Sequence, residues 1–301
     1  MAKSIVVTGA SSGIGAALTK ALAADGHHLF ICARRDELLA KISEKLPSVF
    51  YSRCDVGSEN EVARFFAEVA KRTSSVDALI HCAGVMGPIG PTVEINGDEW
   101  FYALRVNLLG AFLAAKYVVP LMQPERRPRI LMMSGGGSFD PMPNVSAYGV
   151  SKAAIVRLVE TLAVELAPRN IAVNAIGPGF VATEIFDSML KAGSERGGAI
   201  YEKVVNLFKG ANDHDIEIPV ACVRFLISEA AAALTGKTIS ARLDPWNEIE
   251  FQEAVQDIAS SKLYATQRTN LEHLKGEAFV DRLIQAVDRQ KLPHDQRKDP
   301  D

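Results

Sequence analysis

A tyrosine and a lysine four residues apart are the pair with the clearest chemical use in this 301-residue chain. Tyr148 and Lys152 would share one face of a helix, because residues at i and i+4 lie one above the other. A free phenol has a pKa near 10, and a neighbouring cation favours the phenolate. Lowering that pKa to about 7 takes roughly 4 kcal/mol. The pair predicts Tyr148 as a general acid/base and Lys152 as its pKa-lowering partner, although the spacing alone is common.

A hydroxyl that holds a substrate oxygen would complete such a site, and two serines compete for this role. Ser134 directly follows the apolar run 130–133, at the carboxyl end of a predicted strand, where doubly wound sheets place their ligands. Ser138 lies beyond the glycines 135–137 and could instead line the substrate entrance. Strand geometry favours Ser134, with Ser138 as the alternative.

A glycine-rich loop separates the first predicted strand from the first helix. Glycines there allow a tight turn and let backbone N–H groups approach a pyrophosphate at a helix N-terminus. The loop predicts a dinucleotide site that comprises Gly9, Ser11, Ser12, Gly13, Ile14 and Gly15.

The end of the second strand indicates which dinucleotide binds. An acidic residue there would accept from the ribose 2′-OH, whereas arginine suits a 2′-phosphate. This chain has Ala33 followed by Arg34 and Arg35, which favours NADP(H) over NAD(H). The alternative is that both arginines are solvated loop residues.

Short β-rich runs alternate with helical segments up to about residue 245. Seven runs are rich in β-branched and aromatic residues: Ser4–Thr8, Leu29–Cys32, Val49–Arg53, Ala78–His81, Arg129–Met133, Ala172–Ile176 and Thr238–Ala241. This order predicts an α/β fold with a doubly wound, parallel, seven-stranded sheet of Rossmann type and helices on both faces.

The rest of the chain, 246–301, has a different pattern. Phe251, Ala254, Val255 and Ile258 follow helical spacing, as do Phe279, Leu283 and Val287. We expect a C-terminal extension of two amphipathic helices that pack beside the substrate lobe or on a partner subunit, with a polar, disordered end over the last ten or so residues.

Composition excludes several classes of protein. A net charge of −3 offers no electrostatic reason to hold nucleic acid or an anionic membrane. The four cysteines, Cys32, Cys54, Cys82 and Cys222, are far apart in sequence and are expected to be free thiols in a reducing cytoplasm, with no metal site.

The strings TGASSGIG (8–15) and SAYGVSKAA (146–154) closely resemble the cofactor loop and active-site helix of the short-chain dehydrogenase/reductase family. The resemblance covers residues 3–245. It implies a proton-relay role for Asn107, and contacts with the nicotinamide from Pro178, Gly179, Val181 and Thr183. The adenosine would meet Asp55 and Val56, with Ala83 and Gly84 near its ribose.

Two positions depart from the family pattern. The fourth strand leads into His81-Cys82-Ala83-Gly84 instead of Asn-Asn-Ala-Gly, and a glycine, Gly135, stands 13 residues before Tyr148, where the family's serine most often lies. We interpret the first change as tolerated, because that loop meets the ribose through its backbone.

The resemblance also implies a small-molecule carbonyl or alcohol substrate and a homodimer or homotetramer formed through the helices Trp100–Met122 and Tyr148–Leu166. The segment 184–217 occupies the place of the family's substrate lobe. Its apolar residues are interleaved with basic ones, and sugars, acyl ketones, steroids and xenobiotic carbonyls all remain open. The competing hypothesis is a dinucleotide sensor or scaffold that has the fold without turnover.

Overall fold

The computed structural model describes residues 2–210 and 216–266. The strands are β1 (Ser4–Thr8), β2 (His28–Ala33), β3 (Val49–Arg53), β4 (Ala78–His81), β5 (Arg129–Met133), β6 (Ala172–Gly177) and β7 (Thr238–Ser240). The α-helices are α1 (Gly13–Ala24), α2 (Asp36–Ser43), α3 (Glu59–Ala70), α4 (Gly97–Leu104), α5 (Gly110–Val118), α6 (Ser146–Leu166), α7 (Asp187–Lys209), α8 (Glu217–Leu226), α9 (Ile249–Glu253) and α10 (Val255–Ser260).

The seven strands form one parallel sheet in the order β3-β2-β1-β4-β5-β6-β7. This confirms the doubly wound fold. The strand order reverses between β1 and β4, and ligands of such sheets bind outside the carboxyl ends at this point. The chain therefore brings the glycine loop after β1 and the loop after β4 to the same crevice.

Alternate residues of each strand pack into two separate cores. Ile5 and Val7 of β1 face the side covered by α1 and α8, whereas Val6 faces the side covered by α3, α5 and α6. All five residues of β5 are buried, as expected for a central strand covered on both faces. Burial on both faces thus holds the residues at the carboxyl edge of the sheet in fixed positions.

The predicted helix Trp100–Met122 is interrupted. A π-helical segment, Arg105–Leu109, separates α4 from α5. The wider turn inserts extra backbone into the helix, and such insertions are frequent at functional sites. Within the described part of the chain, the segment Gly97–Leu121 is also long and apolar enough to cross a membrane. Its most apolar 18-residue stretch has a mean hydropathy of 1.4, and 44% of that stretch is buried inside the protein.

Residues 246–265 pack against the sheet. Phe251, Val255 and Ile258, from α9 and α10, join the same core as α1 and α8. The Tyr264 carbonyl accepts from the Thr238 N–H at 2.7 Å, so the extension covers part of the β7 edge. The second predicted helix of the extension, its polar end and residues 211–215 lie outside the described residues.

Candidate active site

A cavity of about 580 Å³ opens at the carboxyl edge of the sheet. Every residue predicted to contact the cofactor lines it: Gly9, Ser11, Ser12, Gly13, Ile14, Gly15, Arg34, Arg35, Asp55, Val56, Ala83, Gly84, Tyr148, Lys152, Pro178, Gly179, Val181 and Thr183. Ser134 also lines it. Residues spread over 175 positions of sequence therefore meet in one crevice.

The glycine loop packs closely against itself and against the loop after β4, because side chains are missing where space is smallest. A Cβ at Gly9, whose φ is +66°, would lie 2.6 Å from the Ala83 nitrogen. One at Gly15 would lie 2.4 Å from the Gly9 carbonyl oxygen. With α1 starting at Gly13, its free N–H groups and dipole suit a pyrophosphate. The residues present fit a dinucleotide.

Two arginines flank this loop. Arg34 donates to the Tyr102 hydroxyl, and the Arg105 guanidinium lies 5.3 Å above the Tyr102 ring. Arg35 donates to Ser12 Oγ at 2.6 Å and to Ser11 Oγ at 3.2 Å. Guanidinium and hydroxyl groups together offer several hydrogen-bond donors to an anion such as phosphate.

The loop after β3, which is predicted to meet the adenosine, is held in place by local contacts. Asp55 Oδ1 accepts from the Gly57 N–H at 2.9 Å, and the Asp55 N–H donates to Glu61 at 3.0 Å. Val56 is 5% exposed, and a Cβ at Gly110 would approach its side chain to 2.8 Å. Close contact with α5 thus holds the loop after β3.

Tyr148 and Lys152 lie on the first turns of α6, and both line the cavity. Lys152 Nζ donates to the Met133 carbonyl at 2.8 Å and lies 5.4 Å from the centre of the Tyr148 ring. Burial raises the pKa of Tyr148 to about 12 and lowers the pKa of Lys152 to about 8.

The lowering of the tyrosine pKa that we expect from Lys152 together with the positive nicotinamide of the cofactor stays a prediction. Burial penalises the charged form of each group, and the ammonium bonds to a carbonyl rather than to the phenol. In the protein without cofactor, Tyr148 is therefore a neutral phenol at neutral pH.

Asn107 is fully buried inside the π-helical segment. Its amide nitrogen donates to the Val85 carbonyl and to Ser151 Oγ, each at 2.9 Å, and its oxygen accepts from the Val85 N–H at 2.8 Å. A Cβ at Gly84 would lie 3.3 Å from Asn107 Oδ1 and 3.6 Å from Lys152 Nζ. The asparagine thus ties the loop after β4 to α6, close to the lysine.

The two candidate serines contact each other. Ser134 Oγ lies 2.5 Å from Ser138 Oγ, and Ser138 Oγ also donates to the Gly135 carbonyl at 2.7 Å. Ser134 is 2% exposed but lines the cavity beside Tyr148. A Cβ at Gly135 would lie 2.7 Å from Tyr148 Oη, so the backbone position nearest the phenol has no side chain.

His81, the last residue of β4, and Cys82, which follows it, are the side chains that depart from the family pattern here. His81 Nδ1 bonds to Thr8 Oγ1 at 2.9 Å, and burial lowers the histidine pKa to about 3. Burial raises the pKa of the Cys82 thiol to about 12. Both side chains are neutral at neutral pH. No cluster of three potential metal ligands occurs within residues 2–210 and 216–266.

The predicted substrate lobe follows β6. Phe180 and Phe186 stack with 5.7 Å between ring centres. Helix α7 is kinked at Gly193 and Gly198, whose φ values are +76° and +54°. Between these glycines, Arg196 Nε donates to the Ile89 carbonyl at 2.9 Å. The lobe thus reaches across to the loop after β4, and residues 184–188 at its start line the cavity.

Sequence reasoning missed some residues at the site. Ser151 and Tyr102 act through partners far away along the chain, Asn107 and Arg34. Glu184 opens the lobe and contacts Arg35. Its place directly after Thr183, in a loop predicted to line the cofactor, was the available signal.

The sequence of residues 3–193 matches the family described as short chain dehydrogenase. This chain belongs to the short-chain dehydrogenase/reductase family. Over 241 residues it is 33% identical to dehydrogenase/reductase SDR family member 4 of Sus scrofa, covering 79% of this chain and 85% of the relative. It is 31% identical over 248 residues to a putative ketoacyl reductase of granaticin polyketide synthase from Streptomyces violaceoruber, covering 78% and 90%.

Solved structures agree with this placement. A variant of actinorhodin polyketide ketoreductase, solved with NADPH, superposes with a TM-score of 0.71 at 29% identity and covers 79% of this chain and 95% of that one. Levodione reductase superposes with a TM-score of 0.70 at 26% identity, covering 79% and 95%. The family is one of oxidoreductases that use nicotinamide dinucleotides.

Proposed function

We propose that this protein is an NADP(H)-dependent oxidoreductase that transfers a hydride between nicotinamide and a carbonyl or secondary alcohol of a small molecule. The observation that carries the proposal is one cavity lined both by Tyr148 and Lys152 and by Arg34 and Arg35. The similarity to a ketoreductase solved with NADPH supports the cofactor and the reaction class.

The bound cofactor supplies the hydride, and the protein supplies binding, orientation and the proton. Tyr148, a neutral phenol at neutral pH, holds the substrate oxygen and delivers its proton there. Lys152, charged below its pKa of about 8, stabilises the phenolate left behind. Ser134 orients the carbonyl from the neighbouring strand end, and Asn107 fixes the loop that faces the lysine.

The assay that tests this function is a panel of carbonyl substrates with both NADPH and NADH. We expect NADPH-dependent turnover, and we expect Tyr148→Phe to reduce it by at least ~100-fold while cofactor binding survives, since the ring is kept and the proton donor is lost. Binding of cofactor without turnover on any substrate would instead favour a dinucleotide sensor or scaffold.

Cofactor preference has its own measurement. NADPH should bind more tightly than NADH, and Arg34→Ala should reduce the difference by about 1–3 kcal/mol, typical for a hydrogen bond to a charged group. Equal affinities of the parent protein for the two cofactors would remove the basis for the NADP(H) assignment.

Three broader features belong to the same proposal. The substrate is a small carbonyl or alcohol compound that enters beside the apolar lobe, without nucleic acid or membrane as a partner. The protein is a homodimer or homotetramer, and we assign it to the cytoplasm, where its free cysteines would stay reduced.

A further inference from the structure

A single guanidinium connects the two walls of the cofactor cavity. On one side Arg35 donates to Ser11 and Ser12 of the glycine loop, with the shortest bond, to Ser12 Oγ, at 2.6 Å. On the other side its Nη1 donates to Glu184 Oε2 at 2.7 Å. Glu184 is the residue at which the segment leading into α7 begins. The arginine therefore has an acidic partner from the substrate lobe.

The Glu184 carboxylate accepts from an N–H group of Arg35 that could otherwise donate to a phosphate. Arg35 lowers the pKa of Glu184, so this side chain is ionised at neutral pH. Carboxylate and phosphate oxygens bind guanidinium in the same way, and a phosphate monoester carries more negative charge. Arg34, by contrast, donates to the Tyr102 hydroxyl.

The ion pair between Arg35 and Glu184 is also weak enough for a phosphate to replace the carboxylate. Arg35 and Glu184 are 41% and 54% exposed, and solvent screens ion pairs of this kind. Thr183, the residue before the lobe, also lies near this loop, since a Cβ at Gly13 would lie 3.1 Å from Thr183 Cγ2. Glu184 itself contacts both Arg35 and Ser12, so its release would loosen the start of the lobe.

We propose that Glu184 is a specificity-determining residue that competes with the cofactor 2′-phosphate for Arg35. The inference rests on the proposed NADP(H) function. Glu184 weakens binding of NADP(H) and leaves NAD(H) unaffected, because the ribose of NAD(H) brings no phosphate to the arginine. When the 2′-phosphate binds Arg35, it releases Glu184, the first residue of the lobe, from the arginine.

The test measures dissociation constants of Glu184→Gln by titration. Its ligands are NADPH, NADH and two fragments that differ in the 2′-phosphate, adenosine 2′,5′-bisphosphate and 5′-AMP. We expect binding of NADPH and of the bisphosphate to tighten by about 3- to 10-fold. NADH and 5′-AMP should change by less than about twofold. Glu94→Gln is the matched control. Glu94 pairs with Arg196 at 3.8 Å, so this substitution removes the same charge from an ion pair elsewhere.

Four results would overturn the proposal. Weaker NADPH binding by Glu184→Gln would mean that Glu184 holds Arg35 in place for the phosphate. Equal tightening of NADPH and NADH, or an equal effect of Glu94→Gln, would reflect general electrostatics. A selective effect that persists in an Arg35→Ala background would mean that it does not pass through Arg35.

Failure of the proposed function gives a different result. If the parent protein binds NADPH no more tightly than NADH, the NADP(H) assignment fails. Selective tightening of adenosine 2′,5′-bisphosphate by Glu184→Gln would still support the competition for Arg35, and no selective tightening would reject it.

Discussion

Burial has opposite consequences for the two central residues of the site. It keeps the proton on Tyr148 and promotes loss of the proton from Lys152, with pKa values of about 12 and about 8. A phenol of higher pKa stays protonated but is a weaker acid, so a neighbouring positive charge matters more when its proton leaves. An ammonium that must remain charged is limited by the second effect. Of these two groups, we therefore expect the lysine to set the upper pH limit of the proposed reductive reaction.

We expect kcat/KM for carbonyl reduction to fall as pH rises through about 8, because Lys152 is charged below its pKa and neutral above it. The measurement is a pH profile of the reductive reaction from about pH 6 to about pH 10. In Lys152→Arg the fall near pH 8 should disappear, since guanidinium stays charged there. A parent profile that is flat through pH 9 would contradict the assignment.

The pair of serines gives a second prediction at this scale. Ser134 lines the cavity, whereas Ser138 contacts Ser134 and the Gly135 carbonyl. Ser134→Ala should therefore lower kcat at least ~10-fold with cofactor affinity intact, and Ser138→Ala should mainly raise KM. Steady-state kinetics of the two variants in parallel check this. The opposite result would assign the catalytic hydroxyl to Ser138.

At the scale of elements, local patterns predicted the strands and the glycine loop well. Continuous apolar runs such as 130–133 identify buried parallel strands without tertiary information. The π-helical segment Arg105–Leu109 was not predicted, because a wider turn leaves the apolar pattern unbroken. Nor was the contact between Arg35 and Glu184, since its two residues come from separate loops and meet only when the sheet is complete.

The extension is part of the core of the catalytic domain over 246–265. Phe251 is 5% exposed and lies 6.1 Å, centre to centre, from the Phe225 ring of α8. Phe251→Ala should lower the free energy of unfolding by about 3–5 kcal/mol. Ile249→Ala, in the same short helix but 65% exposed, should change it by less than about 0.5 kcal/mol. Urea denaturation measures both, and similar losses would show that α9 is not packed as described.

At the scale of the whole molecule, large apolar side chains remain at the surface of the helices that cover one face of the sheet. Those on α4 and α5 are Phe101 and Phe112, exposed by 64% and 43%, and those on α6 are Val150 and Val164, exposed by 48% and 76%. Exposed apolar groups on neighbouring helices favour association, in agreement with the expected homo-oligomer.

We therefore expect Phe112→Glu to shift the protein toward monomer, because a charge would be buried at the interface. Leu243→Glu is the control, since Leu243 is 87% exposed and lies beyond β7. Size-exclusion chromatography with light scattering reports the mass of each variant. A parent protein that is already a monomer would reject the oligomer, and an unchanged mass for Phe112→Glu would place the interface elsewhere.

The packing of the extension also affects how the chain folds during synthesis. Domains are completed from the N-terminus at about 5–20 residues per second. The core on the α1 side includes Phe251, Val255 and Ile258, and the β7 edge is covered by Tyr264. The seven strands therefore leave the ribosome before the residues that complete this core. During that interval an apolar face and the edge of β7 are open to chaperones and to other nascent chains.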